Sequence, residues 1–149
     1  MRLACYQPEI AGNMGALLRL AACYGVAVDV IEPCGFVWSE AKMRRAGMDY
    51  AAQVPTERHV DWAAFRAAAP ARVILLTTKA QQRVHDFEFR VSDTLLLGSE
   101  SSGVPADIAQ SCDAAVRIPI SDKVRSFNLA VAAAIALTEA LRKTGGLPK

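Results

Sequence analysis

The sequence predicts an α/β fold with a mainly parallel sheet and helices on both of its faces. Two continuous apolar runs, RVILLTT and TLLLG, have the length of strands, and such runs are typical of parallel strands buried on both faces. Strand-like segments alternate with segments of helical periodicity along the chain. The predicted order is β-α-β-α-β-α-β-β-α-β-α, in a single domain that spans residues 1–149.

The first half of the chain begins with the strand RLACYQ and the helix NMGALLRLAACYG. Apolar residues recur at helical spacing from Leu17 to Tyr24, with Asn13 as the predicted N-cap and Gly25 as the predicted stop. Further elements are predicted in the order VAVDVI (strand), SEAKMRRAG (short helix from Ser39 to Gly47), DYAAQV (short strand) and DWAAFRAAA (amphipathic helix ended by Pro70).

The second half contains the two apolar strands, a short helix VPADIAQSC and a last strand AAVRIPI. The chain closes with the helix SFNLAVAAAIALTEALRK, which ends before Gly145 and Gly146. From Leu129 to Leu137 this helix is apolar on every side and rich in alanine, which is typical of a helix buried all round. We expect one of its faces to pack on the sheet and another on a second subunit; burial within a single chain is the alternative.

Composition excludes several classes of protein. The formal net charge of +2 is too small to indicate a nucleic-acid binder, so such a role would need a local basic patch. The four cysteines show no CxxC spacing, and His59 and His85 stand alone, so we expect reduced thiols and no metal site. The amino terminus lacks a signal-peptide core, and the longest apolar run is far shorter than the roughly 20 residues of a membrane span. The expectation is a soluble, cytoplasmic protein without membrane contact.

Three loops are predicted to meet at the carboxyl edge of the sheet, where α/β proteins bind ligands: TTKA (77–80), GSESSG (98–103) and IPISDKVRSFN (118–128). Gly98 and Gly103 allow a sharp bend and a close approach to a ligand. Taken alone, GxExxG also fits an ordinary strand-to-helix turn with Glu100 near the helix start. Because neither GxGxxG after the first strand nor GxxxxGK[ST] occurs, a Rossmann site or a P-loop is disfavoured.

Three segments together resemble the motifs of the SpoU branch of the SPOUT RNA methyltransferases: NMGALLRL, LLLGSESSGVP and IPISDKVRSFNLAVAAAIALTEALR. YQPEIAGN, IEPCGF, RRAGMDY and LLTTKA narrow the resemblance to the small TrmL-type tRNA 2′-O-methyltransferases that modify the wobble nucleotide. The similarity runs from about Leu3 to Lys143.

The resemblance implies a deep trefoil knot at the carboxyl-terminal end of the fold, a homodimer, and S-adenosylmethionine bound in the knot. It implies 2′-O-methylation of the wobble ribose at position 34 of tRNA, on cytidine or a modified uridine. The implied cofactor-binding residues are Leu76, Thr77, Thr78, Lys79, Gly98, Glu100, Gly103, Ile118, Ile120 and Ser126.

The resemblance also implies a catalytic set: Arg19, Asn13, Glu100, Ser126 and Asn128. Arg19 would contact the target phosphate or ribose. The role of general base does not suit a guanidinium, because arginine keeps its proton at neutral pH. A clamp on the phosphate that also stabilises developing alkoxide charge suits it better. The implied RNA-binding residues are Arg19, Arg44, Arg45, Lys123 and Arg125, although Arg44 and Arg45 equally fit an exposed helix face.

Three residues depart from the family pattern: Ala80, Ser102 and Thr138, the last of which replaces a tyrosine. The change at Thr138 bears on the RNA substrate more than on the cofactor. Two alternative functions therefore stay open: 2′-O-methylation of another tRNA or rRNA position, and a non-catalytic RNA-binding dimer that keeps the knot.

Overall fold

A computed structural model describes residues 1–39, 41, 43, 45, 48–68 and 71–149. Arg44 lies outside the described residues, as do Gly47 and Pro70; within the predicted helix 39–47, Ala41, Met43 and Arg45 have helical backbone. The elements are β1 (Arg2–Tyr6), α1 (Ala11–Tyr24), β2 (Ala27–Ile31), a 3₁₀ helix (Met48–Gln53), β3 (Thr56–His59), α2 (Trp62–Ala68), β4 (Val73–Leu76), a 3₁₀ turn (Val84–Asp86), β5 (Thr94–Leu97), α3 (Ala106–Ser111), β6 (Ala114–Val116) and α4 (Leu129–Thr144).

The six strands form one sheet in the order β3-β2-β1-β5-β4-β6, and every pairing in it is parallel. In the central register Cys5 of β1 pairs with Val30 of β2 on one side and with Leu97 of β5 on the other. The predicted α/β class with a parallel sheet is therefore confirmed.

Helices cover both faces of the sheet, as predicted. Leu3 and Cys5 of β1 point into one core, which α1 and α4 close with Leu17 and Leu137. Ala4, between them, points into the opposite core, which contains Phe65 of α2 and Ile108 of α3. Because alternate side chains of a strand face opposite sides, a strand buried on both faces must be apolar throughout.

One predicted strand is wrong. Residues of DYAAQV form a 3₁₀ helix, and the third strand is the next segment, Thr56–His59. Three of its four residues are exposed, because it lies at the edge of the sheet. A strand so exposed needs no apolar run, so hydrophobic periodicity could not reveal it.

The ends of the helices follow the predictions in part. Gly25 and Gly145 terminate α1 and α4 in the left-handed conformation, at φ +65° and +70°. Asn13 is not the N-cap of α1: the helix begins at Ala11, with Ile10 in the capping position. Asn13 instead lies in the first turn, where its side chain faces two other loops.

The four cysteines are free thiols, as predicted. Burial raises the pKa of the Cys5 thiol, and it raises the pKa of the half-buried Cys34 and Cys112 to about 11. These thiols are therefore protonated at neutral pH. Within the part of the chain that the structure describes, no helix combines the length and apolar character that a membrane span requires.

Candidate functional site

A cavity of about 430 Å³ lies at the carboxyl edge of the sheet, beyond the ends of β4 and β5. Its size falls in the range of small-molecule sites, roughly 300–1,000 Å³. The three loops that the sequence singled out line it together, because parallel strands all end at the same edge. Nine of the ten predicted cofactor residues belong to the lining: Leu76, Thr77, Thr78, Gly98, Glu100, Gly103, Ile118, Ile120 and Ser126.

Lys79 is the exception. It lies on a neighbouring cavity of about 400 Å³ that also contacts Gln110 of α3. The turn after β4 explains this, since the backbone of Ala80 folds back to donate to the Thr77 carbonyl at 3.3 Å. The two cavities share Leu76, Thr77, Gly98 and Gly103, which stand between them.

Several lining residues were missed by the sequence analysis. Phe127 and Leu129 flank the predicted Asn128, so their neighbourhood could have indicated them; Ile10 of the β1–α1 loop carried no local signal. Ile10 and Phe127 are 52% and 41% exposed. Apolar side chains therefore remain uncovered at the mouth of the cavity.

The glycine loop after β5 is a closed hairpin-like turn. Ser99 and Gly103 exchange two backbone hydrogen bonds, at 3.0 and 2.9 Å, and Gly103 has φ +70°. The hydroxyl of Ser102 lies 2.9 Å from that of Ser99. The departure from the family pattern at Ser102 is thus accommodated inside the loop.

The carboxylate of Glu100 holds the start of α1. Its Oε2 accepts a hydrogen bond from the Glu9 amide at 2.8 Å, and its Oε1 accepts from the Ile10 amide at 3.2 Å and from Asn13 Nδ2 at 3.0 Å. The oxygens of a side-chain carboxyl group suit these N–H donors, which lie at a helix N-terminus. The arrangement gives Glu100 a positioning role at the cavity wall.

Asn13 and Asn128 extend this network to the last helix. Asn128 Nδ2 donates to Asn13 Oδ1 at 2.9 Å, while Asn128 Oδ1 accepts from the amides of Ala130 and Val131 at 2.9 and 3.3 Å. Asn128 is therefore the N-cap of α4, a role that Ser-x-Asn before an apolar helix indicates. Three of the predicted site residues thus form one chain of hydrogen bonds around the cavity.

Arg19 does not line this cavity. It lies on α1 six residues after Asn13, which places it about 9 Å further along the helix and on another side of it. Its guanidinium carbon is 6.0 Å from the centre of the Tyr50 ring. The side of α1 that carries Arg19 is exposed and otherwise bears small residues, namely Gly12, Ala16 and Cys23.

Cationic residues lie in and beside the loop between β6 and α4. Lys123 and Arg125 are exposed within it, close to the cavity residue Ser126. Arg117 and Arg83, which the sequence analysis missed, form a parallel β-bridge beside it. Arg45 is also exposed. The four cations in and beside the loop, Lys123, Arg125, Arg83 and Arg117, supply the local positive charge that a small net charge does not exclude.

Thr138 joins the two helices on this side of the sheet. Its hydroxyl lies 2.7 Å from the Tyr24 hydroxyl and donates to the Ala134 carbonyl at 2.7 Å. Tyr24 of α1 therefore places a phenol group beside Thr138.

A separate polar cluster brings the ligand atoms of Asp29, Glu57 and His59 within 4.8 Å of one another. Asp29 accepts two hydrogen bonds from Arg2, at 2.7 and 2.9 Å, and lies 2.9 Å from His59 Nε2. Because a guanidinium already neutralises this buried carboxylate, the donor set does not favour a metal ion.

Comparisons with known proteins agree with this geometry. The chain is 53% identical over 150 residues to a Beijerinckia indica protein named tRNA (cytidine(34)-2′-O)-methyltransferase, covering 99% of this chain and 94% of that protein. An Escherichia coli K12 protein of the same name is 37% identical, with 97% and 94% covered.

Solved structures show the same fold. One, described as giving insight into 2′-OH methylation of C/U34 on tRNA, matches with a TM-score of 0.90 and 40% identity, over 95% of this chain and 94% of that one. The SpoU methyltransferase AviRb from Streptomyces viridochromogenes, solved with AdoMet, matches with a TM-score of 0.84 and 27% identity, over 96% of this chain and 60% of that one.

The model of the SpoU rRNA Methylase family matches residues 1–138, nearly the whole chain. The resemblance carried by the three motifs is thereby confirmed. This chain belongs to the SpoU methylase family.

Proposed function

We propose that the chain is an S-adenosylmethionine-dependent methyltransferase that modifies the ribose 2′-hydroxyl of the wobble nucleotide, position 34, of tRNA in the cytoplasm. The observation that carries the proposal is the cavity of about 430 Å³ at the carboxyl edge, which the three motif loops line together. Relatives that bear this function by name share 37–53% identity over almost the full length.

The cavity fits the adenosyl group by its chemistry. Leu76, Ile118 and Ile120 offer apolar walls for a flat heterocycle, while Ser126 and Asn128 add polar groups. When bound, S-adenosylmethionine supplies a methyl group on a positively charged sulfur.

For methyl transfer, the protein must align the ribose oxygen with the methyl carbon and the sulfur, and the hydroxyl group must lose its proton. The hydrogen-bonded set Glu100, Asn13 and Asn128 keeps the cavity wall and the start of α4 in place. The proposed role of Arg19 is to clamp the substrate phosphate and stabilise charge that develops on the ribose oxygen.

A homodimer is part of the proposal, because Arg19 lies outside the cavity of its own chain. Val131 and Ile135 are 47% and 37% exposed, one turn apart on α4, and the small residues around Arg19 leave room for close helix packing. A second copy that packs on these exposed sides of α1 and α4 would bring its Arg19 toward the mouth of the cavity. It would also cover Ile10 and Phe127, which are exposed there.

The carboxyl-terminal knot also stays a proposal, based on family membership and on the long loop that joins β6 to α4. RNA would lie along the cations in and beside this loop, since phosphate neutralisation supplies most of the affinity for RNA. Lys123, Arg125, Arg83 and Arg117 are the proposed contacts.

The test is methyl transfer from labelled S-adenosylmethionine to tRNA that lacks wobble 2′-O-methylation, followed by nuclease mapping. Label at the position 34 ribose is expected. Label at another position would support 2′-O-methylation of a different nucleotide. Cofactor binding without label in any RNA would support a non-catalytic RNA-binding dimer instead.

A further inference from the structure

The side chains of Glu9 and Glu100 join the β1–α1 loop to the glycine loop in both directions. Glu100 accepts from the amide of Glu9 at 2.8 Å. In return, Glu9 Oε2 accepts from the Ser101 amide at 2.8 Å and Glu9 Oε1 accepts from the Ser101 hydroxyl at 2.6 Å. These bonds join residues that are about 90 positions apart in the sequence.

We propose that Glu9 is a positioning residue for the cofactor: it holds Ser101, and through Ser101 the tip of the glycine loop, in the shape that the cavity requires. This inference rests on the proposed function, since it assumes that S-adenosylmethionine occupies the cavity.

The geometry of the loop shows why a second attachment matters. The backbone pair of Ser99 and Gly103 closes the base of the loop, but the tip between them, residues 100–102, extends beyond that pair. Glu100 ties one side of the tip to α1, and Glu9 ties the next residue to the loop before α1. With both ties the tip is fixed at two adjacent residues; with Glu100 alone it can pivot.

The backbone of Glu9 is itself firmly placed. On its far side the Gly35 amide donates to the Pro8 carbonyl at 2.9 Å, and a β-carbon on Gly35 would lie 2.9 Å from the Glu9 α-carbon. The side chain of Glu9 therefore extends to Ser101 from a base that the loop after β2 supports.

The bonds from Ser101 have the strength of charge-assisted hydrogen bonds. The Ser101 hydroxyl, followed by the Ser101 amide, lowers the pKa of Glu9 below its ordinary value. Glu9 is thus ionised at neutral pH, and an ionised acceptor roughly doubles the strength of such bonds. Glu9 is also exposed and does not line the cavity. Its removal should leave the core intact and change chiefly the shape of the loop.

The experiment measures S-adenosylmethionine affinity calorimetrically, without RNA, for the wild type, Glu9→Ala, Glu9→Gln and Ser101→Ala. We expect Glu9→Ala to weaken binding about tenfold, because it removes two hydrogen bonds to a charged group. Glu9→Gln should recover most of the affinity, since its amide can accept from the Ser101 amide and donate to the Ser101 hydroxyl. Glu9→Ala with Ser101→Ala should bind no more weakly than Glu9→Ala alone.

Two readouts separate positioning from general stability. The melting temperature of Glu9→Ala should stay within about 3 °C of the wild type, and its kcat at saturating cofactor should stay within about threefold. The control is Glu88→Ala, at an exposed glutamate outside the cavity, which should bind the cofactor normally.

Wild-type affinity in both Glu9→Ala and Ser101→Ala would overturn the inference and leave the proposed function standing. A fall in melting temperature with unchanged affinity would likewise assign Glu9 a purely structural role. Absence of cofactor binding in the wild type would overturn the proposed function, and this inference with it.

Discussion

Gly98 and Gly103 approach so closely that a β-carbon on Gly98 would lie 2.5 Å from the α-carbon and the carbonyl carbon of Gly103. From the sequence, Gly98 is expected to leave the space that a close ligand needs. The structure adds a different reason: the obstacle is the backbone of the loop itself, which cannot yield as a flexible side chain can.

We therefore expect Gly98→Ala to abolish cofactor binding and to lower stability, because the backbone pair of Ser99 and Gly103 must open to admit the methyl group. Calorimetric titration with S-adenosylmethionine measures the first effect, and thermal unfolding the second. The control is Gly146→Ala, just after α4 and outside the cavity, where a β-carbon would first meet the flexible end of the Leu141 side chain, at 3.0 Å. This variant should bind the cofactor with wild-type affinity. Normal cofactor affinity in Gly98→Ala would refute the role assigned to the loop.

Arg19→Ala is expected to lower methyl transfer by at least about 100-fold while cofactor affinity stays unchanged, because Arg19 lies outside the cavity of its own chain. The measurements are methylation of unmodified tRNA and calorimetric titration of the cofactor. Arg66→Ala serves as the control, since Arg66 pairs with Asp113 on the opposite face of the sheet. A large loss of cofactor affinity in Arg19→Ala would show that the residue has been misassigned.

Charge on the exposed face of α4 should separate the proposed dimer. Val131→Glu combined with Ile135→Glu places two carboxylates where apolar contact is expected, so we predict monomers and loss of methylation. Light scattering coupled to size-exclusion chromatography gives the mass, and circular dichroism checks that the helices remain. Val91→Glu, at an exposed valine in a turn, should leave the mass unchanged. Persistence of dimers in the double variant would move the interface elsewhere.

The RNA contacts are open to a salt titration. Arg125→Ala should weaken tRNA binding at every sequence and reduce the magnitude of the slope of log K against log salt by about 0.7–0.9. Filter binding at several salt concentrations measures this slope. In contrast, Arg142→Ala removes an arginine already paired with Glu139, and its slope should match the wild type. Equal slopes for the two variants would exclude Arg125 from the RNA surface.

Arg72→Ala should destabilise the protein by about 3–5 kcal/mol, because it leaves the fully buried carboxylate of Asp93 without its guanidinium partner. Urea unfolding gives the free energy. Arg72→Lys should recover only part of the loss, since lysine cannot make the paired contacts at 2.9 and 2.8 Å. Arg142→Ala, which breaks an exposed pair, should lower the free energy of unfolding far less than Arg72→Ala does.

The sequence by itself determined the class of fold, the helices that pack on the sheet and the family. Continuous apolar runs such as Val73–Leu76 specify strands buried on both faces, because each side chain of such a strand meets a core. Glycines such as Gly25 mark helix ends, because glycine adopts the left-handed conformation without a steric cost. The same logic failed for β3, whose exposed edge requires no apolar pattern. The motifs also indicated eleven of the cavity residues, nine of them as cofactor-binding residues, because the loops after parallel strands all meet at one edge.

Only the tertiary structure decided which side chains meet. The bond between Glu9 and Ser101 and the contact between Asn13 and Asn128 join distant parts of the chain, and strand order and register bring them together. The same geometry placed Arg19 outside its own cavity and set Gly98 against Gly103. Local periodicity records which face of an element is buried, but it carries no information about the partner that another segment will bring to that face.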